Sequence, residues 1–251
     1  MELSICTTYY DPYHRRASAL DMSLARFGVS ATNLGANMAF DGFLRTKLVP
    51  LRKFVAGSDS GVVAFLDGND TIAQVGTRGL LNSWEALGSG VVIGPELVCW
   101  PHDFHERPMV DLSPNEAFHF MDTGLIMGRR EAVLAVLDTV IASVSYYRKK
   151  YPDVPQQILE DDVGLFMLNY VDGNISVTID HKCSMIVPLR NVPDDWYEIH
   201  DRKLCVTKTG TTPSIVHFNG HRNIDARRMK IITEVLLGYR KTKIRKAKNV
   251  I

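Results

Sequence analysis

The sequence has 251 residues, of which 45% are hydrophobic and 23% are charged, and its formal net charge is +1. This composition is typical of a soluble globular protein, and it excludes the disordered and collagen-like classes. The four cysteines stand alone, without a C-x-x-C pair, which excludes a disulfide framework. No apolar run approaches the roughly 18 residues that span a bilayer, and the first residues lack a secretory signal. We therefore expect a soluble, cytoplasmic protein, or a secretory one if the chain is a trimmed form.

The charges are distributed unevenly along the chain. Residues 240–251 contain six basic residues and no acid; removing these six from the 29 basic residues leaves 23 against 28 acids, a net charge of −5. A short terminal stretch of one sign is usually solvated, and it also suits contact with an acidic partner. We predict one domain over residues 1–239 and a basic tail over residues 240–251.

Short apolar runs alternate with amphipathic segments. The runs predict strands buried on both faces, at residues 3–6, 62–66, 91–93, 125–127, 175–179 and 214–216. Apolar residues at three- and four-residue spacing predict helices over Pro12–Phe27 and Glu131–Tyr147. The polar stretch Pro188–Thr212 is typical of a long excursion or a small lobe rather than of a second domain. The alternation predicts an α/β fold with helices on both faces of a sheet.

Polar residues follow several of the predicted strands, where the ligand crevice of an open α/β sheet lies. Asp67 and Asp70 follow one strand, and His217 ends another. Two carboxylates and one imidazole suit Mn²⁺ or Mg²⁺, although acids after a strand often only stabilise turns. Aspartate-nucleophile phosphatases place their acids two residues apart. Here Asn69 occupies that position, which weakens the phosphatase alternative.

Three further segments contain candidate ligand-binding residues. The acids Glu160–Asp162 precede an apolar stretch, which indicates a helix start, a carboxylate that binds sugar hydroxyls or accepts a proton, or both. Asp122 opens the segment Asp-Thr-Gly before an apolar run, and its glycine allows a ligand close to the backbone. Trp100 is either a core residue or a platform for a sugar ring.

Six segments together resemble, in the same order, the glycosyltransferase domain of procollagen lysyl hydroxylases. They are the strand ending in Asp67 and Asp70, Cys99-Trp100-Pro101, Asp122-Thr123-Gly124, Glu160-Asp161-Asp162, Thr178-Ile179-Asp180-His181 and Val216-His217-Phe218-Asn219-Gly220. Each segment is weak by itself, but six in one order are specific. The resemblance covers residues 3–220 and implies a type A glycosyltransferase fold, a Rossmann-like mixed sheet with helices on both faces. It makes residues 1–239 the catalytic domain.

The resemblance also implies a UDP-sugar donor, Mn²⁺ (or Mg²⁺) and a set of site residues. Asp67, Asp70 and His217 correspond to the metal ligands. Asp161 and Asp162 correspond to catalytic residues on the side of the donor sugar and acceptor. Residues that would bind the donor are Thr7, Thr8 and Tyr9 near the uridine, Lys47 near the diphosphate, and Asp67, Trp100, Asp122, Asn219 and Gly220.

The sequence departs from the family pattern at three places near the sugar pocket. Asp122 stands for an asparagine, Val163 for a glutamine and Phe218 for a glycine, so the sugar and the acceptor are the least determined features. We predict transfer of glucose, or galactose, to a hydroxyl acceptor, collagen-type hydroxylysine or its galactosylated form. The alternatives are a different glycan or lipid-linked acceptor on the same fold, a metal-dependent phosphoesterase, and a non-enzymatic binding module that uses the basic tail.

Overall fold

The structure is a computed structural model that describes residues 1–10, 18–68, 70–101, 103–220 and 226–239. The basic tail and the first part of the helix predicted over Pro12–Phe27 lie outside these residues. Within the described ranges, no helix has both the length and the apolar character needed to cross a membrane.

Eleven strands and eight α-helices are described. The strands are β1 (Leu3–Thr8), β2 (Thr32–Asn33), β3 (Val62–Asp67), β4 (Thr71–Ala73), β5 (Val92–Glu96), β6 (Phe120–Arg129), β7 (Thr178–Ile179), β8 (Ile186–Pro188), β9 (Tyr197–His200), β10 (Lys203–Val206) and β11 (Ile215–His217). The helices are α1 (Ala19–Ala25), α2 (Val49–Gly57), α3 (Thr77–Ala86), α4 (Glu106–Leu112), α5 (Arg130–Lys150), α6 (Gln156–Leu159), α7 (Asp162–Val171) and α8 (Ala226–Leu236). A π-helix spans Leu44–Leu48, and short 3-10 helices span Asp103–His105 and Asp194–Trp196.

The main sheet has six strands in the order β2-β1-β3-β6-β5-β7, and β6 is antiparallel to both of its neighbours. Alternate residues of β3 point to opposite faces, and each face packs on helices. One core cluster joins the sheet to α2, α5 and α7 and includes Phe65 and Phe166. The other joins it to α1 and α3 and includes Leu66 and Trp84. The predicted α/β architecture with helices on both faces is therefore confirmed.

A second sheet, β4-β11-β8, lies at the end of the main one and positions the C-terminal part of the site. β11 pairs antiparallel with β4, with His217 opposite Thr71, and parallel with β8, with His217 opposite Pro188. The predicted excursion Pro188–Thr212 contains the hairpin β9-β10, and its apolar residues pack in one cluster with residues of β4, β11 and α8.

The predicted elements differ from the observed ones mainly at their ends. The helix over Glu131–Tyr147 is confirmed as α5. The strand over residues 175–179 was too long, since only Thr178 and Ile179 pair with β5. The described part of the first predicted helix is α1, which begins at a capping box formed by Ser18 and Asp21. The sequence reasoning missed five helices, the π-helix and five short strands: α2, α3, α4, α6, α8, Leu44–Leu48, β2, β4, β8, β9 and β10.

Candidate active site

The site forms where the main sheet ends. Thr8 and Asp67 are the last residues of the parallel neighbours β1 and β3, and they lie opposite each other. Because β6 runs the other way, its first residues, which include Asp122, reach the same edge. Sheet polarity therefore brings together residues that are far apart in sequence, as open α/β sheets do at their carboxyl edge.

A register shift in the pairing of β5 with β6 directs two polar side chains into this edge. Ile93 pairs with Ile126, but the next residue, Gly94, pairs with Asp122. The intervening residues bulge from the ladder, and bulges commonly redirect side chains beside active sites. Gly94 allows the close approach, because a Cβ there would lie 2.7 Å from the Asp122 carbonyl oxygen. As a result, the side chains of Asp122 and Thr123 both contact site residues.

His217 lies between three carboxylates. Its Nε2 is 3.4 Å from Asp70 Oδ1 and 3.7 Å from Asp67 Oδ2, and its Nδ1 is 3.1 Å from Asp122 Oδ2. The β4–β11 pairing brings Asp70 here, since the Phe218 N–H donates to the Asp70 carbonyl oxygen at 2.7 Å. Gly124 makes room for the ring: a Cβ there would lie 2.3 Å from His217 Cε1. The glycine that was expected to admit a ligand instead admits the imidazole.

The charged forms of His217 and Asp122 stabilise each other. Burial lowers the pKa of His217, but Asp122 and Asp70 outweigh it and raise that pKa well above its usual value. Burial raises the pKa of Asp122, and the nearby imidazole outweighs this and lowers it. The contact of Nδ1 with Oδ2 lacks hydrogen-bond geometry, so both buried atoms are without a hydrogen-bond partner among the described residues. Asp122 thus orients His217 by charge.

Lys47 is the cation at the centre of the site. It lies in the π-helix, only 3% of its side chain is exposed, and its Nζ is 2.6 Å from Asp162 Oδ2 and 3.0 Å from Asp67 Oδ1. The Nζ also donates to Thr123 Oγ1 at 3.3 Å, and that hydroxyl donates to Asp162 at 2.5 Å. Burial lowers the pKa of Lys47, but the two aspartates raise it above its usual value. Lys47 therefore links Asp67, a predicted metal ligand, to Asp162, a predicted catalytic residue.

The two predicted catalytic aspartates have different surroundings. Asp161 caps α7, accepting a hydrogen bond from the Gly164 N–H at 3.2 Å. It also accepts a hydrogen bond from the Trp100 side chain. Burial and the neighbouring Asp162 raise the pKa of Asp161 to about 7. Asp162 is paired with Lys47. The acidic run is thus both a helix start and part of the site.

The segment after β11 and the loop after β5 form the opposite wall. The Asn219 side chain donates to Glu96, and its Oδ1 accepts from the Arg190 N–H at 3.0 Å. Burial and Asp122 raise the pKa of Glu96 to about 7. The Arg190 guanidinium lies 5.2 Å from the ring centre of Trp100 and packs over Gly220, which has a φ of +64°. Sequence reasoning missed Glu96, although an acid at the end of an apolar strand was a signal, and it missed Arg190, which had none.

The end of β1 lies beside the turn after Asp67. Thr7 is fully buried, and within the described part of the chain its Oγ1 has no hydrogen-bond partner. The backbone of Tyr9 is held by Asn33, which accepts from its N–H at 3.1 Å and donates to its carbonyl at 3.2 Å. A Cβ at Gly68 would lie 2.6 Å from Thr7 Oγ1 and 2.7 Å from the Tyr9 ring, so this turn requires glycine.

The predicted site residues therefore lie around one edge of the sheet. Two carboxylates and one imidazole converge, yet among the residues described no group of three His, Cys, Asp or Glu side chains is arranged as a complete metal site. Asp67 faces His217 with Oδ2 and contacts Lys47 with Oδ1. The site therefore contains three possible metal ligands, Asp67, Asp70 and His217. Asp122 is the carboxylate that orients the imidazole of His217.

Comparison with known proteins assigns this architecture. The galactosyltransferase LgtC, in complex with donor and acceptor sugar analogues, is similar with a TM-score of 0.52 and 14% identity over 95% of this chain and 96% of that chain. An active-site mutant of LgtC gives the same values. Mouse xyloside xylosyltransferase 1 has a TM-score of 0.42 and 14% identity; the match covers 73% of this chain and 64% of that longer one.

The sequence itself matches no curated protein, but the family model described as the PLOD GT domain matches residues 3–231. This match favours the transferase over the phosphoesterase and the binding module. The chain belongs to the family of the glycosyltransferase domain of procollagen lysyl hydroxylases, and it is a glycosyltransferase with the type A fold.

Proposed function

We propose that this enzyme transfers glucose, or alternatively galactose, from a UDP-sugar to a hydroxyl group of collagen-type galactosyl-hydroxylysine or hydroxylysine, with Mn²⁺ as its metal. The observation that carries the proposal is the convergence of Asp67, Asp70 and His217, where the imidazole Nε2 lies 3.4 and 3.7 Å from two carboxylate oxygens. This convergence supports a divalent ion beside a diphosphate, and the family supports a sugar as the transferred group.

The donor set fits Mn²⁺ or Mg²⁺. Oxygen ligands with one nitrogen suit these ions. A histidine that binds a metal usually has a carboxylate against its other ring nitrogen, and Asp122 occupies that position at His217 Nδ1. When bound, the ion would neutralise the negative charge that develops on the departing diphosphate.

The remaining site residues are proposed to bind the substrates or to orient other side chains of the site. Thr7, Thr8 and Tyr9 are proposed to line the uridine pocket, and the unpartnered Thr7 Oγ1 would supply a hydrogen bond there. Lys47 keeps Asp67 and Asp162 at fixed separation. Asp161, ionised above about pH 7, would accept a hydrogen bond or a proton from a sugar hydroxyl bound against Trp100.

Ligand-induced thermal stabilisation tests the donor and the metal. UDP with Mn²⁺ should raise the melting temperature by binding only the native state. Asp67→Asn and Asp70→Asn should each remove the Mn²⁺-dependent part of the shift, whereas Asp153→Asn, which alters an exposed turn, should keep it. The metal assignment is wrong if both site variants retain the full shift.

A donor-by-acceptor panel tests the reaction. UDP release from UDP-glucose and from UDP-galactose would be measured with peptides that carry hydroxylysine or galactosyl-hydroxylysine, and with lactose as an unrelated glycan. We expect the fastest transfer from UDP-glucose to galactosyl-hydroxylysine. Transfer to lactose alone would replace the collagen-type acceptor with another glycan. No transfer from either donor would contradict the proposed substrates.

A further inference from the structure

Arg190 lies two residues after the end of β8, beside the site, and it is half-buried. Its backbone is fixed, because the Leu189 N–H donates to the His217 carbonyl at 2.8 Å and the Arg190 N–H donates to Asn219 Oδ1. The parallel pairing of β8 with β11 therefore places this arginine next to the segment that contains His217, Asn219 and Gly220.

The guanidinium of Arg190 lies between two surfaces. Trp100 is on one side, with the guanidinium carbon 5.2 Å from its ring centre. Gly220 is on the other, where an added Cβ would be 3.1 Å from Arg190 Cδ. Stacking on an aromatic ring orients a guanidinium and leaves its in-plane N–H groups free to bind. Gly220 allows this, since any other residue would press against the arginine stem.

Arg190 has no anionic partner within the described residues, where its Nε is buried and without a hydrogen-bond partner. A buried donor with no partner costs about 1–3 kcal/mol, so such a group indicates a missing acceptor. The acids around the site are occupied: Asp161 by Gly164 and Trp100, Glu96 by Asn219, and the others by Lys47 or His217.

From these contacts we infer that Arg190 is the binding residue of an oxyanion subsite at the mouth of the active site. The oxyanion is either a phosphate group of the donor diphosphate or a carboxylate on the acceptor, both of which suit the planar guanidinium fork. The inference rests on the proposed function for the identity of these ligands. Lys47 does not fill this role, because both of its neighbouring carboxylates already compensate its charge.

Calorimetric titration of Arg190→Gln distinguishes the two sources, with Arg107→Gln as the control because that arginine is 93% exposed. The probes are UDP, inorganic pyrophosphate, uridine, galacturonate and galactose, each with Mn²⁺ present. For a phosphate subsite we expect UDP and pyrophosphate to bind about 10- to 100-fold more weakly, with uridine unchanged. For a carboxylate subsite, galacturonate loses affinity, and UDP and galactose do not.

Arg190→Lys keeps the positive charge and the aliphatic stem but loses the planar guanidinium, so it should bind the oxyanion with intermediate affinity. It also serves as a second variant in case Arg190→Gln fails to fold. The inference is overturned if every affinity of Arg190→Gln stays within about twofold of the unmodified enzyme, or if that enzyme binds neither oxyanion. If the unmodified enzyme binds pyrophosphate or galacturonate but not UDP, the proposed donor fails, and the Arg190 comparison still stands on those two probes.

Discussion

Lys47 and Arg190 are two cations at the same site with opposite surroundings. Lys47 is buried, with an aspartate oxygen 2.6 Å away on one side and another 3.0 Å away on the other. Arg190 is stacked on Trp100, which is 47% exposed, and among the described residues its Nε has no partner. The charge of Lys47 is balanced by two aspartates, whereas Arg190 has no anionic partner in the described part of the chain.

The difference separates the parts of the site that maintain its structure from those that bind. A buried charge needs its partner to remain folded, since an unpaired one is costly to desolvate. A cation at the open edge can stay unpaired until a ligand arrives. Substitutions on the Lys47 side should therefore change stability first, whereas substitutions on the Arg190 side should change affinity first.

Lys47→Met should have the largest effect. It leaves the buried Asp162 and the half-buried Asp67 without their cation, which costs about 3–5 kcal/mol of unfolding free energy. Urea unfolding followed by circular dichroism measures this loss. Lys53→Met, in the exposed face of α2, is the control and should change stability little. A loss below about 1 kcal/mol for Lys47→Met would mean that the pair is not a structural element.

Gly124→Ala tests how tightly the metal side is packed. The added methyl group would lie 2.3 Å from His217 Cε1 and 2.5 Å from Nδ1, so the imidazole must move away from Asp122. We expect a loss of about 1–3 kcal/mol, together with loss of the Mn²⁺-dependent thermal shift. Gly57→Ala, where a Cβ meets nothing within 4 Å, should change neither property. An unchanged Mn²⁺ shift in Gly124→Ala would separate His217 from metal binding.

Asp161→Asn tests the carboxyl group that lies between the two sides. The folded pKa of Asp161, about 7, is above the usual aspartate value of 3.8, so the folded state holds this proton more tightly than the unfolded chain. Stability contributed by the proton is full below about pH 4 and is lost as the pH rises toward 7. Asparagine, which still caps a helix, avoids that loss.

The advantage of Asp161→Asn in unfolding free energy should therefore grow from pH 5 to pH 7, stay constant above, and be on the order of 1–3 kcal/mol. Urea titrations at several pH values measure it, with Asp153→Asn as an exposed control. A pH-independent difference would show that Asp161 does not titrate in this range. Transfer activity of the unmodified enzyme should rise over the same interval as Asp161 ionises.

Trp100→Ala should have the smallest effect on stability, below about 1 kcal/mol, because half of the side chain is already exposed. Its effect should appear in binding instead, because it removes the surface that orients Arg190. We expect UDP or pyrophosphate affinity to fall by about tenfold in calorimetry, with Trp100→Phe closer to the unmodified enzyme. Unchanged affinity together with a large loss of stability would place Trp100 on the structural side of the comparison.

Local patterns were sufficient for much of the fold and for the set of candidate residues. Apolar runs predicted the buried strands, because both faces of the sheet are covered, and periodicity predicted α5. The helices α2 and α3 were not predicted, because their apolar stripes are short and interrupted. The residues that the motifs singled out do lie at one edge of the sheet, because acids and histidine at strand ends are a local feature of this architecture.

The α/β class, the family resemblance and the identity of most site residues follow from the amino-acid sequence alone. Which of those residues touch depends on the folded chain: the reversed direction of β6 and its bulge bring Asp122 to His217, and the π-helix brings Lys47 between Asp67 and Asp162. It also decided that Gly124 accommodates a protein side chain and that Arg190 belongs to the site. These contacts join residues far apart in the chain, and they depend on strand direction, register and side-chain packing, which local spacing does not encode.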